Sequence, residues 1–103
     1  AAITETCRMA LLMGQGVQAR QPMELLAPVV SNLCVFTANA TLSKAQQSSL
    51  NTRIAQQLQI DGTAVFSTTF LDGVTCLRAA IANHRTTAED VDAALDAVAA
   101  ARD

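Results

Sequence analysis

Apolar residues recur at helical spacing in the first part of the chain, where the pattern predicts a helix from Thr4 to about Gln21. Gly14 and Gly16 each cost a helix about 1 kcal/mol relative to alanine, so its second half is expected to be weak. The Gly14-Gln15-Gly16 sequence has no preceding strand and no third glycine, so a nucleotide-binding loop is not expected there. The apolar positions of this helix are Cys7, Ala10, Leu11 and Val17.

A second helix is predicted after Ser43, because serine commonly caps a helix N-terminus. We expect this helix to run from Lys44 to about Gln59 and to stop at Asp61-Gly62. Such a helix packs one face on a sheet and exposes its polar remainder to water. Its apolar residues form one narrow stripe, made of Leu50, Ile54 and Leu58.

The last segment has the most regular helical pattern. Thr86 and Glu89 have the spacing of a capping box, and the acidic residues Glu89, Asp90 and Asp92 suit the positive end of a helix. Apolar residues then follow at positions i, i+3, i+4 and i+7, which are Val91, Ala94, Leu95 and Val98.

Short apolar runs between these helices predict strands. Pro22 and Pro28 bracket an extended connection, since a proline pushes the residue before it out of the helical region. Residues 32–37 are mostly apolar and predict a buried strand. Asp72-Gly73 predicts a hairpin, because a type I′ turn requires a positive φ at both central residues and this pair adopts it at little cost.

The turn also predicts which residues share a face of the hairpin. If Leu71 pairs with Val74, alternate side chains point to opposite faces. The face expected to be core carries Phe66, Phe70, Leu77 and Ile81. The opposite face, polar enough to meet a partner or ligand, carries Ser67, Thr69, Cys76 and Arg78. The predicted fold is α+β in the order α-β-α-β-β-α, with helices covering one face of a small mixed or antiparallel sheet.

Composition narrows the class of protein. A chain of 103 residues has room for one core, and with 50% hydrophobic and 16% charged residues we expect a soluble globular domain, not a disordered one. No apolar run is long enough to cross a membrane. A net charge of −2 with scattered basic residues gives no surface for nucleic acid.

The start of the sequence and its cysteines indicate what kind of chain this is and in which compartment it folds. The sequence starts without an initiator methionine or a secretory signal, as if inside a helix, so we expect a piece of a longer protein. Cys7, Cys34 and Cys76 are odd in number and lie in apolar segments, which favours buried free thiols over disulfides or metal ligands. Free thiols in turn predict a cytoplasmic location.

Few residues could carry chemistry. Lys44 is the single lysine and follows a helix cap, so it is expected to be hydrated and inert. Arg78 lies in the middle of a strand, opposite the aromatic core, where it could bind a carboxylate, pair with a neighbouring acid or reach solvent. His84 fits a hydrogen bond in a turn, since no nucleophile or orienting acid is apparent around it. Arg85 fits a loop ion pair.

Several features occur in one order along Met23 to Asp103. They are Glu24-Leu25-Leu26-Ala27-Pro28, the strand after Asn32, the Leu71-Asp72-Gly73 hairpin, Leu77-Arg78, and Asn83-His84-Arg85-Thr86-Thr87 before an acidic helix start. This ordered set resembles the C-terminal small domain of the pyridoxal-phosphate (PLP)-dependent group II amino-acid decarboxylases. Residues 1–22 resemble the helix that leads into that domain.

The resemblance implies an aspartate-aminotransferase type of fold, in which a large domain of the same chain holds PLP and the small domain closes over the active site of a homodimer. The reaction would release CO2 from an amino acid and leave an amine. In glutamate decarboxylases, the arginine at the position of Arg78 binds a substrate carboxylate. The large domain's signatures are absent, so the 103 residues alone are expected to be inactive. The alternative is a free-standing α+β module that binds a small ligand or a second copy of itself.

Overall fold

The computed structural model describes residues 5–58, 64–81 and 86–102. This part of the chain forms three helices and a four-stranded sheet, which confirms the predicted α+β class. The predicted order is also confirmed, with one short strand added before the first predicted strand. The elements are α1 (Glu5–Ala19), β1 (Glu24–Leu25), β2 (Leu33–Thr37), α2 (Lys44–Gln57), β3 (Ala64–Leu71), β4 (Val74–Ile81) and α3 (Ala88–Arg102).

The sheet has the strand order β1-β2-β4-β3, and every neighbouring pair is antiparallel. The hairpin between β3 and β4 forms as predicted, with Leu71 opposite Val74. Asp72 and Gly73 both have a positive φ, of 52° and 82°, as a type I′ turn requires. The added strand β1 lies within the extended connection that the two prolines bracket, and it pairs with β2.

The helices cover one face of the sheet, and the core lies between the helices and that face. Phe36 of β2 and Phe66 of β3 meet edge to face there, with ring centroids 6.5 Å apart. Phe70 was expected in this core, and that expectation is wrong: 71% of its surface is exposed. It lies next to the turn on β3, the outer strand of the sheet. The largest buried side chains of the core are Met13, Phe36, Ile54, Leu77, Ile81 and Leu95.

The two glycines of α1 do not end the helix, which continues to Ala19. They lie where α1 approaches other parts of the chain. A Cβ atom on Gly14 would lie 2.7 Å from Val29, and one on Gly16 would lie 2.6 Å from Leu95 of α3. Both distances are too short for real contacts, so glycine at these positions permits close packing at a cost in helix propensity.

Polar side chains of α2 bond to the ends of β2 and β4. The buried Asn51 side chain accepts a hydrogen bond from the Ala38 amide and donates to Thr37 Oγ1 and to the Thr75 carbonyl oxygen, at 3.0 to 3.1 Å. The Thr75 amide donates to Ser48 Oγ at 2.9 Å. α2 thus supplies hydrogen bonds to β4 beyond the point where β2 ends.

The helix caps follow the predicted chemistry, with one correction. Ser43 caps α2 as predicted, and the Gln46 side chain completes a capping box. The capping box of α3 was expected at Thr86 and Glu89, but Thr87 and Asp90 form it, one residue later. Aspartate at the third helical position closes this box, since its carboxylate accepts from the Thr87 amide at 2.9 Å. The predicted stop of α2 at Asp61-Gly62 lies outside the described residues.

Cys34 and Cys76 are buried as predicted and Cys7 is half-buried, and none of the three forms a disulfide with another described residue. Burial raises the pKa of the Cys34 thiol from 9.0 to about 12, because the thiolate would lose its hydration. Burial also raises the pKa of the Cys76 thiol, although its backbone hydrogen bond partly opposes the shift. In the part of the chain that the structure describes, no helix is long and apolar enough to span a membrane.

Replacing Asn51 with alanine is expected to lower the free energy of unfolding by roughly 2 to 3 kcal/mol, because two backbone groups lose their buried partner. Urea unfolding measures this change. Gln56→Ala is the matched control, since Gln56 is an exposed polar residue of the same helix. A loss no larger than that of the control would contradict the role given to the Asn51 network.

The raised thiol pKa values predict an alkaline loss of stability. Below pH 9.0 the Cys34 thiol is protonated in the folded and unfolded chain alike. Between pH 9.0 and about 12 the unfolded chain loses the proton first, so the free energy of unfolding falls as pH rises. The sequence has no tyrosine and one lysine, so few other groups titrate in this range.

Unfolding in urea at about pH 8 and about pH 10.5 measures this loss. We expect a smaller loss in Cys34→Ala than in the unmodified chain, because the variant has one fewer buried thiol. An equal loss in both proteins would show that Cys34 does not cause the alkaline dependence.

Candidate functional site

Arg78 lies on β4, one of the two inner strands of the sheet, with its side chain exposed. Its direct partners across the sheet are Val35 of β2 and Ser67 of β3. Because side chains alternate along a strand, Arg78 points away from the neighbouring core residues Leu77 and Ala79. The predicted position of Arg78, opposite the aromatic core, is therefore confirmed.

Apolar side chains surround this arginine on the same face. We call this surface the open sheet face, because its side chains lie outside the core that the helices form. Val65 is 54% exposed, whereas Val35 and Ala80 are half-buried. The open sheet face therefore presents one guanidinium in the middle of a mainly apolar surface. It is formed by Leu33, Val35, Val65, Ser67, Arg78 and Ala80.

Arg78 makes no ion pair with any residue that the structure describes. Arg20, by comparison, bonds to Asp92 and Asp96 of α3 at 3.4 and 3.2 Å. The proposed pairing of Arg78 with a neighbouring acid is thus not seen in this part of the chain. Its guanidinium is available to an anion that approaches the open sheet face, and a carboxylate matches its geometry.

Lys44 does not fit a cofactor-binding role. It is exposed at the first position of α2, and its Cδ and Nζ atoms both lie 3.5 Å from the point where a Cβ on Gly73 would be. A lysine that binds PLP covalently needs a desolvated pocket with partners for the pyridine nitrogen and the phosphate. Since Lys44 is the single lysine of the sequence, this chain does not supply a covalent PLP site.

The other predicted site residues lie elsewhere. His84 and Arg85, with Asn83, are outside the described residues. Gly14-Gln15-Gly16 lies inside α1 and packs against neighbouring side chains, so it forms no phosphate loop. Among the described residues, no group of histidine, cysteine or acidic side chains could hold a metal ion.

The sequence did not predict a surface cleft of about 480 Å³ between the start of α1 and the start of α3. Its lining includes Arg8, Met9 and Leu12 of α1, together with Thr86 and Thr87 before α3. These residues are distant in sequence, and only the packing of α1 on α3 brings them together. Spacing along the chain contains no signal for such a cleft.

No protein-family model matches the sequence, and no curated protein sequence matches it significantly. Solved structures do match its fold. An Oryza sativa TDC crystallised with PLP and tryptamine matches 97% of this chain, with a TM-score of 0.79 and 20% identity. The glutamate decarboxylase domain of diaminobutyrate-pyruvate transaminase and L-2,4-diaminobutyrate decarboxylase from Vibrio parahaemolyticus matches 95%, with a TM-score of 0.79 and 22% identity. Catharanthus roseus tryptophan decarboxylase, in complex with L-tryptophan, matches 97%, with a TM-score of 0.78 and 20% identity.

This chain covers 21 to 22% of the length of those three chains. Nearly all of it is therefore similar to one segment of much larger proteins. At 20 to 22% identity the likeness establishes the fold. The resemblance that the sequence motifs predict is confirmed at that level: the chain has the fold of a segment about one fifth as long as these decarboxylases.

Proposed function

We propose that this chain is the C-terminal small domain of a PLP-dependent group II amino-acid decarboxylase, which releases CO2 from an amino acid and leaves an amine. The observation that carries the proposal is the match of nearly the whole chain to one segment of several decarboxylase structures. The ordered motifs from Glu24 to Thr87 support it independently, because they come from the sequence alone.

In this proposal the cofactor belongs to a large domain of the same protein. Bound PLP accepts the electron pair that the departing carboxylate leaves on the amino acid. The exposed position of Lys44 agrees with this division, since the small domain has no residue that could hold PLP covalently. The contribution of the small domain is to bind, orient and shield the substrate.

The open sheet face is the surface that we assign to the active-site side. A partly exposed apolar surface around Arg78 favours contact with another protein surface. Once that surface is covered, burying the Arg78 charge without a partner would cost free energy. A carboxylate that binds the guanidinium compensates for the hydration that it loses. Arg78 is therefore the residue that we propose to bind a carboxylate of the amino-acid substrate.

The remaining parts of the proposal follow from the family. The intact enzyme would be a homodimer in the cytoplasm, with each small domain closing over an active site. No disulfide joins the cysteines in the described part of the chain, which agrees with a reducing compartment. We do not propose a nucleic-acid partner, since the net charge is −2 and the seven basic residues are scattered along the sequence.

One observation favours the alternative, a free-standing binding or dimerisation module without catalytic activity. The core is closed by the chain's own side chains, and residues from all three helices and three strands bury one another within it. A domain that closes its own core can fold without a larger partner. The enzymatic proposal requires a longer chain, whereas the free-standing module does not. The length of the natural protein therefore distinguishes the two.

The first experiment is to tag the protein after Asp103 at its natural locus, purify it, and measure its intact mass and its visible absorbance. The proposed function predicts a chain several times longer than 103 residues that is yellow from bound PLP and releases CO2 from an amino acid. A colourless chain of 103 residues would overturn the enzymatic proposal and leave the free-standing module.

The second experiment tests Arg78 in the intact enzyme. Replacing Arg78 with methionine is expected to raise KM for the amino acid roughly 10- to 100-fold, because a charged hydrogen bond to a carboxylate contributes about 1.5 to 3 kcal/mol. Arg78→Lys keeps the charge but not the two parallel hydrogen bonds, so an intermediate KM is expected. Steady-state kinetics over a panel of acidic, basic and aromatic amino acids measures these values.

Lys44→Met is the matched control, since it removes one exposed positive charge on α2. It is expected to leave KM and the absorbance of bound PLP unchanged. An equal KM in Arg78→Met and Lys44→Met would rule out carboxylate binding by Arg78. Loss of PLP absorbance in Lys44→Met would show instead that this lysine serves the cofactor.

A further inference from the structure

β3 is the outer strand of the sheet, and no described strand pairs with its free side. It is eight residues long, Ala64–Leu71, and contains no charged residue and no proline. Proteins commonly protect such an edge with a charge, a proline or a bulge, because its free amides and carbonyls can pair with another strand. At the opposite edge, β1 is only two residues long and contains Glu24. The two edges of the sheet therefore differ in how well they are protected.

The hairpin determines which backbone groups of β3 point to the free edge. Leu71 and Val74 close the two-residue turn, so they form a hydrogen-bonded pair. Hydrogen-bonded pairs alternate along an antiparallel ladder. The amides and carbonyls of Phe66, Thr68 and Phe70 therefore point away from β4.

The sequence of β3 is nearly palindromic about Thr68. Phe66 and Phe70 each lie two positions from Thr68. The two neighbours of Thr68, Ser67 and Thr69, both carry a hydroxyl group. Val65 and Leu71, each three positions from Thr68, are both aliphatic. An antiparallel pair of identical strands with Thr68 at its centre thus places like side chains opposite each other.

We propose that β3 pairs antiparallel with β3 of a second copy of this chain, about a two-fold axis through Thr68. In this register the outward backbone groups of Phe66, Thr68 and Phe70 meet those of Phe70, Thr68 and Phe66 of the other copy. Each of these three pairs can exchange two hydrogen bonds, as hydrogen-bonded pairs of antiparallel strands do. The inference depends on the sheet edge alone and is independent of the proposed enzymatic function.

Side-chain exposure agrees with this partner. Phe70 is 71% exposed and Val65 is 54% exposed, although both lie in a strand. The pairing brings Phe70 against the partner's Phe66 on the helical side of the sheet. It brings Val65 against the partner's Leu71 on the open sheet face. The assembly closes at two copies, because the protected β1 edges remain outermost.

Charge substitutions at the two-fold axis test the register, because only residue 68 faces its own copy. We expect the 103-residue chain to form a dimer in sedimentation velocity. Thr68→Lys and Thr68→Glu should each raise the dimer dissociation constant at least about tenfold, since like charges meet at the axis. An equimolar mixture of the two variants should form a heterodimer, because the opposite charges then pair.

Gln56→Lys, on the exposed face of α2, is the control for net charge and should dimerise like the unmodified chain. Phe70→Ser is a second variant that spares the core, since Phe70 is exposed, and it should also weaken the dimer. Far-UV circular dichroism checks that each variant is folded. A monomeric unmodified chain, or a Thr68→Lys dimer as tight as the Gln56→Lys dimer, would overturn the proposal. Failure of the mixture to associate would overturn the register and with it the proposal.

Discussion

The register of the β3–β4 hairpin is the constraint on which the rest of the structure depends. Asp72 and Gly73 fix it, because their positive φ angles place Leu71 opposite Val74. A shift of one residue in β4 would exchange the faces of its side chains. Leu77 would then leave the core, and Arg78 would enter it without a partner. The turn thus determines both the core and the only cation on the hairpin.

β4 is the strand that carries this constraint into the rest of the fold. It pairs with β3 along its full length and with β2 along part of it. Where β2 ends, Ser48 and Asn51 of α2 bond to the Thr75 amide and carbonyl. The position of α2 over the sheet is therefore tied to the same strand that presents Arg78 on the opposite face.

Local chemistry explains what the sequence predicted well. The hairpin, the Ser43 cap and the faces of β3 and β4 depend on residues close together in the chain. The close contacts of Gly14 and Gly16, and the hydrogen bonds of Asn51, join residues far apart in sequence, so spacing could not predict them. The same reason applies to Phe70: alternation predicts its face, but only tertiary packing determines whether a helix covers it.

The candidate site likewise has features that the sequence predicts and features that depend on tertiary packing. The strand position of Arg78 follows from the sequence, whereas its lack of an ion pair with any described residue depends on where distant acids lie. Asp92 and Asp96 bind Arg20 instead, and they belong to α3, which lies on the face of the sheet opposite to Arg78. Because Lys44 is the single lysine and follows a helix cap, the sequence alone predicts that a covalent PLP site is not part of this chain.

The two unprotected surfaces of the domain can be occupied at the same time. Pairing through β3 extends the sheet in its own plane, whereas a domain on the open sheet face approaches from above that plane. In the proposed pair, both Arg78 residues lie on the same face of one continuous sheet. With three strand spacings between them and an offset of two residues, their Cα atoms are roughly 16 Å apart. The edge pair would therefore present the two Arg78 side chains on one face while leaving each open sheet face accessible.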